Sequence, residues 1–573
     1  MQSTMQNVPL TVSAIVQHAA AIHGDSEVVT PTGNGYRRTP YRIVLARVAR
    51  LANALRSLGV TADQRVATFQ WSNQEHLEAY CAIPSMGAVL HTLNIRLAPE
   101  QLAYIANHAS DQIVLVDASV APLLARALPA MASVHTVIVT GEGDLAPLQG
   151  CGKTVLRYEE VLAAEEESFD WPELDELSAA AMCYTSGTTG DPKGVVYSHR
   201  STYLHSLTAC TANALSVSEA DRVLAIVPMF HANAWGLIYA ALMSGADLVL
   251  PDRYLQAEPL VSIIEDTRPT LAGAVPTIWN DVDRYLDSHP ERDISSLRLV
   301  ACGGSAVPLS LMRAFEEKYD VPIVQAWGMT ETSPLATVAR PAHRADATRR
   351  WEMRASQGRP ICGVEIRLRD DDGKDVPWDG QSVGEIQARG PWITGSYFGD
   401  NDTEKFDEGW LRTGDVGRID AEGYLTLTDR SKDVIKSGGE WISSVELENT
   451  LIGHPAVYEA RWSASRTING RKGRWRLSSS TPEPMLTLTN SDRSLRTKSP
   501  NGGFPSDGAS CPIFRGRASE STTKRPSVRA TLPANTSSKS KRNNVKSLEF
   551  QQSEGNHVLP NLSLDECRIT RAS

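Results

Sequence analysis

The chain has 573 residues, more than one hydrophobic core usually organises, so two or more domains are expected. Its 41% apolar residues are enough to bury a sizeable core, and its net charge of −10 gives no overall attraction to nucleic acid. Eight cysteines without a C-x-x-C pair indicate neither a zinc site nor a disulfide framework. No stretch approaches the roughly eighteen apolar residues of a membrane span and no Lys or Arg precedes Arg37, so we expect a cytoplasmic protein without a secretory signal.

The first part of the chain alternates helical and strand patterns. Short apolar runs at 65–69 and 112–117 predict strands. Apolar residues at helical spacing predict helices at 10–23, 41–58, 76–86 and 99–108. This alternation predicts an α/β fold in which helices cover mostly parallel sheets.

A stretch rich in glycine and threonine at 184–195 (YTSGTTGDPKGV) is typical of a phosphate-binding loop. Glycine tolerates positive φ and lets backbone N–H groups approach an anion, hydroxyl groups add donors, and a lysine adds charge. The spacing is not that of a Walker A loop. A flexible linker is the alternative, although linkers do not require a lysine at a fixed position. The residues expected to bind phosphate are Thr185, Ser186, Gly187, Thr188, Thr189, Gly190 and Lys193.

This stretch resembles the signature of the adenylate-forming superfamily, which includes acyl-CoA synthetases, firefly-type luciferases and the adenylation domains of peptide synthetases. Members join a carboxylate to AMP with loss of pyrophosphate, and many then pass the acyl group to a thiol. The resemblance implies ATP and CoA as co-substrates and Mg²⁺ as the metal. A homodimer is suggested by analogy with a related group of these enzymes.

Two strand-to-loop stretches add candidate site residues at the carboxyl ends of strands, where α/β proteins bind ligands. The loop at 228–236 (PMFHANAWG) resembles that of bacterial medium- and long-chain fatty acyl-CoA synthetases. The resemblance implies that His231 borders the carboxylate and that Trp235 gates an acyl tunnel. A structural loop histidine and a core aromatic are the alternatives. After the strand predicted near 299–302, Gly304 and Ser305 lie in a loop that packs on adenine in the family and is otherwise a plain turn.

The stretch 325–332 (QAWGMTET) places a glutamate after a strand end that contains glycine. A carboxylate that faces the phosphate loop suits Mg²⁺, so Glu331 is assigned to the metal, with Thr185 as the hydroxyl ligand that resemblance suggests. A solvated acid is the alternative for Glu331. Thr330 is expected to meet the α-phosphate. The motif also supplies three predicted nucleotide-binding residues, Gln325, Trp327 and Gly328.

Glycine-bounded segments at 384–390 and 395–398 predict short strands of a smaller β element. In the turn predicted at 409–417, the two oxygens of Asp415 suit the ribose hydroxyls; stabilisation of the turn is the alternative. The resemblance then makes Asp429 the hinge of a small C-terminal domain that rotates between two reaction positions. It also places four residues near the nucleotide or the acyl-adenylate, where a charged surface hairpin is the alternative: Arg430, Lys432, Lys436 and Trp441.

The chain changes character after residue 461. Residues 462–573 carry 19 lysines and arginines against 8 acidic residues, and 20 of these 112 residues are serine. Without sustained apolar periodicity this stretch is predicted to be largely disordered. The resemblance also stops near 458–461, where family members continue into a lobe with a catalytic lysine, and no Gly-Lys pair follows Gly373-Lys374. Our hypothesis is an out-of-frame or replaced terminus; a basic tail that binds polyanions is the alternative.

These patterns predict an adenylation domain at 1–428, the start of a small α+β C-terminal domain at 429–461 and an atypical tail at 462–573. The predicted activity is conversion of a fatty acid to acyl-AMP and then to acyl-CoA, impaired by the missing lysine. An adenylate-binding pseudoenzyme and an aryl- or other carboxylate–CoA ligase are the alternatives. No nucleic acid partner is expected for the folded part. The predicted catalytic residues are His231, Thr330, Glu331 and Lys436.

Overall fold

The computed structural model describes residues 1, 3–185, 191–400 and 402–430, with side chains up to residue 428, and the backbone of four later strands. In these residues the chain forms twelve α-helices. They are α1 (Val12–Ile22), α2 (Tyr41–Ser57), α3 (Gln74–Ser85), α4 (Pro99–Ala109), α5 (Ala121–Ala125), α6 (Tyr158–Ala163), α7 (His199–Ala209), α8 (Leu237–Ser244), α9 (Ala257–Thr267), α10 (Pro276–Ser288), α11 (Leu309–Tyr319) and α12 (Ala347–Ala355). None of the described helices has both the length and the apolar composition needed to cross a bilayer.

A seven-stranded sheet carries the phosphate-loop stretch. Its order is β7-β6-β5-β3-β4-β8-β9, and all neighbours are parallel except the last pair, β8 and β9. The strands are β3 (Arg65–Phe69), β4 (Val89–Thr92), β5 (Ile113–Asp117), β6 (Thr136–Thr140), β7 (Thr154–Arg157), β8 (Ala179–Tyr184) and β9 (Gly194–Ser198). The strands predicted at 65–69 and 112–117 are therefore β3 and β5.

A nine-stranded sheet has the order β16-β15-β14-β13-β12-β10-β11-β1-β2. Its centre is parallel, while β2 at one edge and β15 and β16 at the other are antiparallel. The strands are β1 (Glu27–Pro31), β2 (Tyr36–Pro40), β10 (Arg222–Ala225), β11 (Asp247–Val249), β12 (Leu271–Ala274), β13 (Leu299–Cys302), β14 (Ile323–Gly328), β15 (Leu335–Val338) and β16 (Arg359–Pro360). The α/β class predicted from the sequence is confirmed.

Helix α3 lies between the two large sheets and is buried along its whole length. It contacts β3, β4 and β8 of one sheet and β1 of the other. Its carboxylate Glu78 is completely buried, and it accepts hydrogen bonds from Arg47 Nε at 2.7 Å and from Tyr158 Oη at 2.6 Å. Because a buried charge is tolerated only when it is paired, these two donors allow α3 to pass through the core.

A smaller antiparallel sheet follows, as the glycine-bounded segments predicted. Its order is β17-β18-β20-β19, and β21 pairs with β20. The strands are β17 (Glu365–Arg369), β18 (Gly384–Arg389), β19 (Phe406–Asp407), β20 (Trp410–Ile419) and β21 (Leu425–Arg430). The strand predicted at 395–398 is not formed: Tyr397 makes a single bridge with Asp400, because Gly399 at φ +66° turns the chain back between them.

Beyond residue 430 the structure describes the backbone of two strand pairs. In β22 (Ile435–Ser437) and β23 (Glu440–Ile442), Lys436 lies opposite Trp441. The second pair is β24 (Val457–Thr467) with β25 (Gly470–Ser479), at the start of the stretch predicted to be disordered. The apolar spacing of residues 445–452 predicts a helix, but these residues and 480–573 lie outside the described residues. The proposed domain division stays a prediction.

His205 in α7 is a buried side chain that links the core to the candidate site. Its Nε2 accepts a hydrogen bond from the backbone N–H of Leu335 at 3.2 Å, so this nitrogen is unprotonated. Burial lowers the pKa of His205 to about 4. The unfolded chain therefore binds a proton before the folded protein does. The stabilising contribution is complete above about pH 6.5 and is lost as the pH falls towards 4.

We predict that His205→Gln weakens the pH dependence of stability between pH 6.5 and 5. Glutamine cannot be protonated in this range. In the wild type, His205 makes the free energy of unfolding rise by up to about 1.4 kcal/mol per pH unit, because the unfolded chain binds up to one proton more than the folded protein. The variant lacks this contribution. Melting temperatures measured at several pH values for both proteins test this. Parallel curves would show that His205 is not held neutral.

Candidate active site

The two flanks of the phosphate-loop stretch are paired as strands at the edge of the seven-stranded sheet. Tyr184 of β8 lies opposite Gly194 of β9. The Thr185 backbone N–H donates to the Lys193 carbonyl at 2.9 Å, and the Lys193 N–H donates to Thr185 Oγ1 at 3.2 Å. The stretch therefore leaves and re-enters the sheet at one point. Five of its predicted phosphate ligands lie outside the described residues: Ser186, Gly187, Thr188, Thr189 and Gly190.

The Lys193 ammonium is held by acidic residues of a distant segment. Its Nζ lies 3.0 Å from Asp400 Oδ2 and also forms an ion pair with Asp402. Burial acts to lower the pKa of Lys193, but the hydrogen bonds and charges of the two aspartates outweigh it and raise the pKa above its usual value. Lys193 therefore stays charged at neutral pH.

Glu331 lies in a short 3₁₀ turn, Thr330–Thr332, directly after β14, and is 8% exposed. Its Oε1 accepts a hydrogen bond from Tyr397 Oη at 2.8 Å. Its neighbour Thr330 is tied to the phosphate-loop flank, because Tyr197 of β9 donates its hydroxyl to the Thr330 carbonyl at 2.8 Å. The motif at 325–332 is therefore in contact with β9, the strand that follows the phosphate-loop stretch.

Asp415 of β20 is joined to the same motif. It is 8% exposed, and its Oδ2 accepts a hydrogen bond from Trp327 Nε1 at 2.9 Å. Its backbone N–H donates to Thr413 Oγ1 at 3.1 Å. Asp415 also pairs through its backbone with Arg430 of β21, whose side chain lies outside the description. Trp327 therefore connects the nine-stranded sheet to the small sheet at the predicted ribose site.

Gln325 is placed where its amide supports a loop of the site. It is 1% exposed; Oε1 accepts from the Val307 N–H, and Nε2 donates to the Ser356 carbonyl at 2.6 Å. These bonds fix the end of the loop that contains Gly304 and Ser305, both of which are exposed. The contacts favour a supporting role for Gln325, and direct nucleotide binding by it stays a prediction. Gly328 is required sterically, since a Cβ there would overlap the Pro334 carbonyl.

Trp235 lies against the loop predicted to bind adenine. A Cβ built at Gly303 would be 3.6 Å from Cη2 of the indole, and one at Gly304 would be 3.8 Å from Cζ2. A Cβ at Gly273, in the neighbouring strand β12, would be 4.0 Å from Cε3. The indole therefore covers a floor of glycines at the carboxyl ends of β12 and β13. His231 is half-buried four residues earlier, and its N–H donates to the Pro228 carbonyl at 3.0 Å.

The residues between His231 and α8 form a strained left-handed turn. Ala232, Asn233, Ala234 and Trp235 have φ values of 42°, 50°, 50° and 57°. For residues other than glycine this conformation costs about 1–2 kcal/mol each. Asn233 offsets part of that cost, because its buried Oδ1 accepts from Cys183 Sγ at 3.2 Å and from Tyr80 Oη at 3.4 Å. Strain of this kind is often retained at functional sites.

Several contributors to the site were not among the predicted site residues: Tyr80, Asn233, Tyr397, Asp400 and Asp402. The sequence does indicate the left-handed turn, because Asn233 and Gly236 belong to the residue types that adopt positive φ most readily. The others act through contacts with distant segments. Like Arg430, the predicted residues Lys436 and Trp441 are described only by their backbone, and Lys432 lies outside the described residues.

A model of the AMP-binding enzyme family matches residues 16–398, which include the phosphate-loop stretch and Glu331. The chain belongs to this family. A 3-methylmercaptopropionyl-CoA ligase from Ruegeria lacuscaerulensis is 44% identical over 464 residues, covering 80% of this chain and 86% of that protein. A long-chain-fatty-acid–CoA ligase from Thermus thermophilus is 44% identical over 465 residues, with 80% and 84% covered.

The solved structure of an anthranilate CoA ligase in complex with anthranoyl-AMP is similar, with a TM-score of 0.74 and 27% identity. The match covers 83% of this chain and 88% of that one. As a member of the AMP-binding enzyme family with acyl-CoA ligases as relatives, the protein is an AMP-forming acyl-CoA ligase that takes an acid, ATP and CoA as substrates.

We predict that Gly236→Ala destabilises the protein more than a strained φ alone explains. Gly236 has a φ of +73°, and an added Cβ would overlap the His205 ring. Left-handed strain costs about 1–2 kcal/mol, and overpacking adds roughly 1–3 kcal/mol. Urea unfolding midpoints measure the loss.

Gly373→Ala is the matched control for this substitution. Gly373 has a φ of +75°, but nothing lies within 4 Å of the added Cβ. It should therefore show the backbone strain without the overlap. If both variants lose the same amount of stability, the turn above His205 can move to make room for the added Cβ. That result would contradict the rigid support inferred for the turn.

Proposed function

We propose that the protein converts a fatty acid to its CoA thioester through an acyl-adenylate bound between the phosphate loop, Glu331 and Asp415. The observation that supports this most strongly is the set of hydrogen bonds that brings these three elements together. Tyr197 joins the phosphate-loop flank to Thr330, and Trp327 joins the same motif to Asp415. A nucleotide needs groups for phosphate, metal and ribose at one place, and these contacts support that arrangement.

The residues present fit a magnesium ion as part of this proposal. Glu331 offers a carboxylate, and Thr185 a hydroxyl, both oxygen donors of the kind that Mg²⁺ prefers alongside phosphate oxygens. The Oε2 atom of Glu331 has no hydrogen-bond partner among the described residues, whereas Oε1 accepts from Tyr397. When bound, the ion would neutralise charge that develops on the phosphates. The remaining groups bind and orient: Lys193 the phosphates, Asp415 the ribose hydroxyls.

In the first proposed step a carboxylate oxygen of the acid attacks the α-phosphorus of ATP, an O–P bond forms, and pyrophosphate leaves. In the second step the CoA sulfur attacks the acyl carbonyl carbon, the thiol loses its proton, and AMP leaves. Both steps depend mainly on positioning and electrostatic stabilisation. His231 is proposed to border the carboxylate and Thr330 the α-phosphate.

A fatty acid is favoured by the apolar surroundings of Trp235. Its indole lies over Gly273, Gly303 and Gly304, and Leu237 Cδ1 would be 2.8 Å from a Cβ at Gly273. The apolar surface of Trp235 and Leu237 suits an alkyl chain. The Thermus relative is named for long-chain fatty acids and the Ruegeria relative for a short thioether acid, so chain length is a question for experiment.

A pseudoenzyme that binds adenylate is a second candidate, favoured by the sequence after residue 461. No Gly-Lys pair follows Gly373-Lys374, whereas the resemblance implies that family members carry a catalytic lysine in the lobe that follows residue 461. We propose that adenylation is slowed by several orders of magnitude as a result, because removing one preorganised donor costs about 10²–10³-fold and removing a full charge costs more. Nucleotide binding should be less affected, because its proposed groups precede residue 442.

We predict that pyrophosphate exchange is fastest with unbranched fatty acids and falls roughly 100-fold in Glu331→Gln, which keeps the shape of the side chain but removes its charge. Exchange is measured with acids of four to sixteen carbons, 3-methylmercaptopropionate and anthranilate. Glu365→Gln is the control, because Glu365 pairs with Arg389 on the surface of the small sheet.

Preference for anthranilate would contradict the fatty-acid assignment and favour an aryl ligase. ATP binding by calorimetry without exchange for any acid would favour the pseudoenzyme. Equal exchange in Glu331→Gln and the wild type would contradict the role given to Glu331.

A further inference from the structure

Residues 392–400 run across the candidate site and connect two of its parts. At one end, the Thr394 N–H donates to the Glu331 carbonyl at 2.8 Å, and Ser333 Oγ donates to the Trp392 carbonyl at 2.7 Å. At the other end, the Phe398 N–H donates to the Gly194 carbonyl at 2.9 Å. The segment is therefore fixed by its backbone both to the Glu331 turn and to the exit of the phosphate loop.

Tyr397 lies between these two anchors and contacts a functional group on each side. It is 5% exposed, and its hydroxyl donates to Glu331 Oε1 at 2.8 Å. Its ring centroid is 4.9 Å from Lys193 Nζ, within the range of a cation–π contact. Phe406 packs on the ring at a centroid distance of 5.8 Å. One side chain thus touches the carboxylate and the ammonium that the proposed function assigns to metal and phosphate.

The chemistry of the phenol suits a fixed hydrogen-bond donor. A phenol hydroxyl carries one proton at neutral pH and can donate it in one hydrogen bond, which here goes to Glu331 Oε1. A donor of this kind fixes one carboxylate oxygen and leaves the other available, as partners of metal ligands commonly do.

We propose that Tyr397 is a positioning residue, which orients Glu331 for the metal through its hydroxyl and supports Lys193 through its ring. The proposal deepens the proposed function and rests on it, since it takes Glu331 as the magnesium ligand. The proposal gives different roles to the hydroxyl and to the ring of Tyr397. Loss of the hydroxyl should weaken the effect of magnesium, while the ring continues to support the lysine.

The test compares Tyr397→Phe with the wild type by calorimetric titration of ATP, in EDTA and at increasing Mg²⁺. The gain in ATP affinity caused by Mg²⁺ should fall about tenfold in the variant, because partners of metal ligands typically contribute 10–100-fold to metal affinity. ATP affinity in EDTA should stay within about twofold, since the ring and Lys193 are retained. This readout does not depend on turnover.

Tyr424→Phe is the matched control. Tyr424 is 2% exposed, and its hydroxyl donates to the Arg340 carbonyl at 2.8 Å, away from the site. It loses one buried hydrogen bond of the same type, so its melting temperature should fall as much as that of Tyr397→Phe, while the magnesium effect stays at the wild-type value. Adding Tyr397→Phe to Glu331→Gln should cause no further loss of the magnesium effect if Tyr397 acts through Glu331.

Three results would overturn the proposal. If Mg²⁺ raises the ATP affinity of Tyr397→Phe as much as that of the wild type, the hydroxyl contributes only to the stability of the fold. A Tyr397→Phe variant that does not fold would lead to the same conclusion. Additive losses in the double variant would mean that Tyr397 does not act through Glu331. A wild type whose ATP affinity ignores Mg²⁺ would instead remove the premise, and the proposed metal role of Glu331 would fail with it. The response of the wild type to Mg²⁺ therefore distinguishes failure of the Tyr397 proposal from failure of the proposed metal role of Glu331.

Discussion

The candidate site depends on hydrogen bonds that side chains of one sheet make to residues in or beside another. Trp327 of the nine-stranded sheet donates to Asp415 of the small sheet, and Tyr197 of the seven-stranded sheet donates to the carbonyl of Thr330. Apolar contact alone would allow the sheets to slide, whereas a hydrogen bond fixes distance and direction, and it is stronger in the low dielectric of the interior. Groups for phosphate, metal and ribose can therefore be supplied by three separate sheets.

Strand β8 connects the phosphate side of the site to the acyl side. Its residue Cys183 donates to Asn233, which supports the left-handed turn that carries Trp235. Burial raises the pKa of the Cys183 thiol, so it stays protonated as a donor. The next residue, Tyr184, is held by a 2.6 Å hydrogen bond with His108, and the phosphate loop begins directly after it. The turn and the loop are thus supported from one short strand.

The strands at 65–69 and 112–117 were predicted correctly, because hydrophobic periodicity is a local signal. Short glycine-rich stretches are local signals too, and the roles given to their residues stay predictions. Contacts across sheets carry no such signal: Lys193 and Asp402 are more than two hundred residues apart, and nothing local relates them. The strand expected at 395–398 was wrong because Gly395 and Gly399 suit a turn as well as a strand boundary. Gln325 lies in a predicted nucleotide motif, but its amide is engaged by the protein on both sides.

The central claim is that Thr185, Glu331 and Asp415 surround one nucleotide. A crystal structure of the full chain with Mg²⁺ and a non-hydrolysable acyl-adenylate analogue tests it most directly. We expect the ribose hydroxyls within hydrogen-bond distance of Asp415, the phosphate beside Thr185 and Thr330, and the Tyr397–Glu331 bond intact. An analogue bound elsewhere, or one that reaches Asp415 but not Glu331 and Thr185, would contradict it.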